Sequence, residues 1–305
     1  MIKGLYIFLL ICLFLQIHVY DGYQLWSKMP QWRWAQPPSP LPPSSTPPSS
    51  TPPMITISPS GLHGYYFLGI MSYLKDHYDL RNYVFSGASA GAWISLLMSY
   101  KGNHHEIVND VLKTSHESSQ SIQSIGKGLR NLLLKSGKYR TADFDLNRCY
   151  MGLIQLNWKT WPMQSRTLIY HDFTSLEDAV QCCIASSHVP FIMGRALRKY
   201  RNLYAIDGGF DPRPYYGSGH MNGDCIGPAD EGVARDCTID PRYNAKLHID
   251  PFIWYDRNVT VIEYLGNQFR LFLDLFQTNQ MNYTELYWKG YRDAEKQSQY
   301  LDKFM

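Results

Sequence analysis

A serine hydroxyl attacks a carbonyl only when a neighbouring base takes its proton and nearby donors hold the oxyanion that forms. Ser89 stands in the stretch Gly87-Ala88-Ser89-Ala90-Gly91. G-x-S-x-G at a strand-to-helix junction is a nucleophile elbow, whose small residues permit a strained turn that lifts Oγ clear of the backbone. The helix that follows aims free N–H groups and the positive end of its dipole at the same place. A carboxylate, Asp207, ends the apolar run Asn202 to Ile206 and precedes Gly208 and Gly209. The C-terminal end of a buried strand is where α/β sheets hold ligands, and paired glycines let other backbone approach. A third stretch, Pro59-Ser60-Gly61-Leu62-His63-Gly64, is a Gly-containing loop of the kind that presents consecutive amides to an anion.

Singly, each signal is weak. Three fixed positions match by chance in roughly one chain in ten of this length, Asp-Gly is commoner as a plain turn, and a Gly-containing βα loop is ordinary. The weight rests on the elements that position them. Tyr83 to Phe85 reads as a strand leading into the elbow, with an apolar helix pattern running to Tyr100. Met54 to Ile57 is a short apolar strand, and Tyr65 to His77 has helical spacing at Tyr66, Ile70, Tyr73 and Leu74. His104 to Glu117 and Ser124 to Lys135 read as helices; Asn147 to Asn157 and Ser165 to His171 read as strands. Ser175 opens a helix through Ala185 that stops before Pro190, with Asp178 three residues after the cap. Beyond Asp207 the chain reads as a loop-rich, solvated insert carrying Asp224, Asp230, Glu231 and Asp236, then a strand at Val259 to Tyr264 and helices at Gln268 to Phe276 and Asn282 to Lys303.

The chain has 305 residues, a formal charge of +3 and 18% charged residues, and no Lys/Arg block of the kind a nucleic-acid backbone requires. Lys3 precedes the apolar run Gly4 to Ile17, long enough for a signal-peptide core and short for a full membrane span. No small-residue cleavage site is evident, so residues 1–25 are expected to be a signal peptide or an uncleaved signal anchor. Residues 26–53, rich in Pro, Ser and Thr, cannot pack a core and read as a disordered, extended stalk. The expected folded domain is 54–305, enough for one α/β core. Cys225 and Cys237 bracket a Gly/Pro-containing insert, where a disulfide and two free thiols both fit; sequons at Asn258 and Asn282 agree with a secretory route. His104 and His105, being adjacent, are expected to point to different sides of a helix; with no H-E-x-x-H present they read as surface histidines, and no metal or other cofactor is expected.

The ordered set of segments resembles the patatin-like phospholipase family, in particular the branch containing adipose triglyceride lipase and adiponutrin. Pro59 to Gly64 is similar to the family's Gly-rich oxyanion loop, and Ser86 to Ala92 (SGASAGA) to its serine elbow. Phe173 to Pro190 resembles the helix and A-S-x-x-x-P turn before the aspartate strand, Asp207-Gly208-Gly209 matches the aspartate motif, and Gly290-Tyr291-Arg292-Asp293-Ala294 is similar to a terminal G-Y-x-D-A helix. The resemblance implies an α/β, three-layer patatin-like sandwich with a mostly parallel central sheet. It implies a Ser89–Asp207 dyad with no histidine between, and motif support from Gly64, Gly87, Gly91, Gly208 and Gly209. Pro59 stands where the family has a glycine and has no N–H, so the oxyanion donors fall to Ser60 or Gly61, together with Ala90.

The expected activity is lipid acyl hydrolysis of the phospholipase or triacylglycerol lipase type, through an acyl-enzyme, on a lipid substrate at a membrane surface. The expected location is the secretory pathway, membrane-anchored or secreted; the sequence does not speak to oligomeric state. The aromatic Tyr65-Tyr66-Phe67 stretch reads as core or as part of a greasy entrance. Two rivals stand beside this. One is an α/β-hydrolase triad in which His220 or His248 joins Ser89 and Asp207. The other is a membrane-tethered lipid-binding protein of the same fold that has lost its chemistry.

Overall fold

The structure, a computed structural model, describes residues 52–157, 164–210, 224–226, 245–250, 253–254, 274 and 278–305. The signal, the stalk up to residue 51, the disulfide partner Cys237, the Asn258 sequon, His220, the 259–264 strand and most of the 268–276 helix lie outside those residues. Among the described residues no helix is long and apolar enough to cross a membrane.

The fold is α/β, built on one mixed sheet. Its strands are β1 (Met54–Ile57), β2 (Val84–Ala88), β3 (Cys149–Asn157), β4 (Gln164–Tyr170), β5 (Arg198–Tyr200), β6 (Leu203–Ile206), β7 (Asp224–Ile226) and β8 (Ala245–Ile249). Parallel pairing joins β8, β1, β2 and β3 in that order, and β4 to β7; β3 runs antiparallel to β4 and β6, as does β5 to β6. The helices are α1 (Gly64–His77), α2 (Ala90–Met98), α3 (His104–Glu117), α4 (Ile122–Lys135), α5 (Leu176–Ser186), α6 (Tyr283–Lys296) and α7 (Ser298–Leu301).

The register on β3 decides where the strand ends meet. β4 occupies one edge of β3 from Met151 to Asn157, so the other two partners must share the opposite edge. There β2 runs parallel and ends with Ala88 opposite Gly152, while β6 arrives antiparallel and ends with Ile206 opposite Ile154. Two strand ends therefore face each other across a single β3 residue, Leu153. The next residues in the chain are Ser89 and Asp207.

Period-2 alternation puts Ile55, Ile57, Phe85, Met151, Leu153, Leu168 and Tyr170 into the main core, together with the apolar stripes of α1, α2 and α5. Met54, Val84, Ala88, Tyr150 and Ile169 form a second buried cluster. The sheet is thus buried on both faces, as strands with near-continuous apolar runs require.

Two expectations change. The stretch after Asp207 contributes two strands rather than only a solvated insert: Asp224 opens β7, and β8 lies against β1. Leu247 and Ile249 are buried while Lys246 is exposed, a two-residue alternation that flanking polar sequence obscures. The expected terminal helix from Asn282 breaks at Gln297 into α6 and α7.

The terminal helix is locked to the core by close approach. A Cβ on Gly69 of α1 would lie 2.0 Å from the Tyr287 carbonyl, and one on Gly290 of α6 1.9 Å from the Tyr66 carbonyl. Tyr66 donates to Asp293 at 2.9 Å, and Ala294 is fully buried. The G-Y-x-D-A stretch is therefore the face that α6 turns toward α1.

Candidate active site

Strand β2 enters the elbow without room to spare. A Cβ on Gly87 would fall 2.4 Å from the Gly91 carbonyl carbon, and one on Gly91 2.3 Å from the Ile57 carbonyl oxygen. Between them Ser89 is forced to φ 54 and ψ −122, a conformation L-residues seldom adopt. α2 starts immediately afterwards at Ala90.

The structure brings Ser89 and Asp207 together: Ser89 Oγ donates to Asp207 Oδ2 at 2.8 Å. Asp207 Oδ1 accepts from the Gly209 amide at 2.6 Å. Both side chains are buried, at 7% and 5% exposure, enough to exclude bulk water from the bond. Burial dominates the carboxyl's acidity and lifts it to about 6, against the Gly209 and Ser89 hydrogen bonds that lower it. Asp207 is therefore mostly ionised at neutral pH yet basic enough to take a proton.

A short segment holds both main chains. Ser186, the last residue of α5, accepts from the Ser89 amide at 2.8 Å and donates to the Gly152 carbonyl at 2.5 Å. Two residues on, the His188 carbonyl accepts from the Asp207 amide at 2.9 Å. Ser187 between them accepts from Trp93 Nε1 of α2 at 3.1 Å. Neither Ser186 nor His188 carries a reactive role, so residue type gives no signal for them; the A-S-x-x-x-P resemblance alone does.

The Gly-containing loop packs onto the elbow. A Cβ on Gly64 would lie 2.7 Å from Ala90 Cβ, and one on Gly209 3.0 Å from Pro59 Cβ. Gly61 has φ 53, and Ser60 is 1% exposed. The amides of Ser60, Gly61 and Ala90 all lie at helix starts, where N–H groups have no intrahelical partner. Ser60 Oγ is buried with no hydrogen-bond partner among the described residues. Gly208 fits against β3 and the elbow, its missing Cβ 2.7 Å from both Ala88 Cβ and the Gly152 carbonyl.

No protein-family model and no curated protein matches the chain. Among solved structures, VipD from Legionella pneumophila is similar at 15% identity and a TM-score of 0.27, over 58% of this chain and 49% of that one. The chain thus spans about half the length of that protein's chain.

His248, the described histidine of the rival triad, is engaged elsewhere. Its Nδ1 lies 2.7 Å from Thr56 Oγ1 and its Nε2 3.2 Å from Ser58 Oγ, which ties β8 to the start of the Gly-containing loop. Tyr65 and Phe67 are core: Tyr65 is buried and donates to Ser115 at 2.6 Å, and Phe67 is 1% exposed. The apolar run Val189 to Met193 follows directly after the His188 carbonyl that holds Asp207. Phe191 there is 46% exposed.

The expectation that His104 and His105 point to different sides of the helix fails, and of the two only His105 lies at the surface. Their rings lie 4.1 Å apart and both face Asp76 of α1. Successive helix residues are about 100° apart, not opposite, so two long side chains in the first turn of α3 can reach one carboxylate between them. His104 is buried rather than a surface residue.

Proposed function

We propose that the chain is a serine-dependent hydrolase of lipid acyl esters with a patatin-like, three-layer fold. Burial of both sheet faces supports that layering, as do the motifs quoted above. The observation that carries the reading is the direct 2.8 Å bond from Ser89 Oγ to Asp207 Oδ2.

In this reading Ser89 Oγ attacks the ester carbonyl as its proton passes to Asp207 Oδ2. The tetrahedral oxyanion is held by the amides of Ser60, Gly61 and Ala90, and the Ser60 hydroxyl makes up for the amide that Pro59 lacks. Collapse expels the alcohol, which takes the proton from Asp207, and leaves Ser89 acylated. Asp207 then draws a proton from water, whose oxygen attacks the acyl carbonyl; collapse frees the acid as Asp207 returns that proton to Ser89 Oγ. The exposed Phe191 ring, three residues after His188, supports a long acyl chain as the group delivered to the site, with a membrane surface as its source. Residues 1–25, as a signal peptide or signal anchor, direct the chain into the secretory route, and the mass of the mature N-terminus distinguishes the two.

The test is covalent labelling with a fluorophosphonate lipid probe, alongside release of fatty acid from phospholipid and triacylglycerol emulsions. Wild type should be labelled and turn over; Ser89→Ala should do neither, and Asp207→Asn should lose turnover by about 10² to 10⁴-fold. A folded, unlabelled wild type would favour the lipid-binding alternative, for which the missing Pro59 amide is the supporting observation.

A further inference from the structure

Asp76, near the C-terminal end of α1, and His104 and His105, which open α3, each offer one ligand atom, all within 4.8 Å of one another. Asp76 Oδ1 lies 3.3 Å from His104 Nε2 and 3.0 Å from His105 Nε2. Ligands about 2.0 to 2.1 Å from a tetrahedral zinc are about 3.3 Å from each other, close to the two separations from Asp76 Oδ1, of which the 3.0 Å one is also a hydrogen bond to His105.

His104 supplies the second, independent observation. Its side chain is 9% exposed, yet Nε2 makes no hydrogen bond, although Asp76 Oδ1 is near. A buried imidazole nitrogen left without a hydrogen bond and facing a carboxylate is how proteins present a histidine to a metal. Tyr291 of α6 donates to Asp76 Oδ2 at 2.8 Å, the outer contact that orients a ligating carboxylate and leaves Oδ1 for the ion. His105, with a 42% exposed side chain, leaves the cluster open to solvent for an entering ion and a water ligand.

We propose that Asp76 Oδ1, His104 Nε2 and His105 Nε2 bind one Zn²⁺, with water in the fourth position. The ion clips the end of α1 to the start of α3, and through Tyr291 it also engages α6. Two imidazoles and a carboxylate suit zinc rather than calcium or magnesium, which take oxygen ligands. The clip is independent of the dyad, and its test reads no hydrolysis.

The test uses the tag-free 305-residue chain, apo and then equilibrated at micromolar free zinc. Bound metal is counted by plasma mass spectrometry, and cobalt is used as a visible-absorption probe of the same site. Wild type should hold about one zinc per chain, gain melting temperature with zinc, and show the intense bands of four-coordinate cobalt. His105→Ala, a partly exposed position whose loss leaves the core intact, and Asp76→Asn should each weaken zinc by more than about tenfold and abolish the cobalt bands. Folded wild type that takes up no zinc, or variants that bind it as wild type does, would overturn the proposal.

Discussion

The Ser186 hydroxyl stands between the Ser89 amide and the Gly152 carbonyl, at 2.8 and 2.5 Å, and so fastens the strained elbow to the central strand. A residue at φ 54 persists only where its surroundings over-determine it. Ser186→Ala removes the acceptor and leaves a buried N–H unpaired, a cost of about 1 to 3 kcal/mol. The variant should melt lower and lose up to about 10²-fold in kcat from misplacement of Oγ, with KM little changed. Equal kcat in wild type and variant would show that the elbow holds itself.

Asp207 sets the pH dependence. Hydrolysis needs its ionised form, so kcat/KM should rise tenfold per pH unit below about 6 and level off above it. The stability effect has the opposite sense. Burial raises the folded value above the ordinary 3.8, so stability fully present below 3.8 is lost as pH rises through about 6. That interval corresponds to about 3 kcal/mol. Asp207→Asn should therefore melt above wild type at pH 8 and lose that advantage at pH 4, while being inactive at both.

Ser60 offers a second trade of stability for activity. Its buried hydroxyl has no partner among the described residues, so Ser60→Ala should keep or raise the melting temperature. If the hydroxyl meets the oxyanion, turnover falls by about 10² to 10³-fold in the same variant. Calorimetry and initial rates on one preparation measure both.

His248→Ala separates a dyad from a triad. The ring bonds Thr56 and Ser58, so its loss should lower the melting temperature modestly and leave fluorophosphonate labelling of Ser89 in place. Abolished labelling in a folded variant would bring the histidine back into the mechanism.

Gly290→Ala tests the seam between α1 and α6. With the new methyl 1.9 Å from the Tyr66 carbonyl, backbone must move, and the cost should be at least about 1 to 3 kcal/mol. The expected result is a lower melting temperature with unchanged turnover per folded molecule well below it.

Local pattern made much of this legible. β1, β3, β4, β6, α1, α3 and α4 lie within a few residues of where alternation and helical spacing put them, because each carries a clean apolar face. Ser175 caps α5 as its position suggests, accepting from the Asp178 amide at 3.1 Å. What stayed hidden depends on long-range pairing. β5 and β7 are three residues each, too short for any period, and exist because β6 and β4 offer them an edge. The convergence of Asp76, His104 and His105 was likewise invisible, since it joins two helices whose packing no local window contains. Ser89 and Asp207 were nominated by glycine context; the roles of Ser186 and His188 needed coordinates, because their contribution is a hydrogen bond to someone else's main chain.

The single residue separating the two strand ends makes β3 a ruler. Gly152 fixes where one arm stops and Ile154 where the other does, so the gap spanned by the hydroxyl and the carboxylate is metered by Leu153 alone. One residue added there would part the arms by about 3.3 Å, and one removed would drive them into each other. Residues far apart in the chain are thus held to hydrogen-bond tolerance by the pitch of a strand that contributes no chemistry of its own.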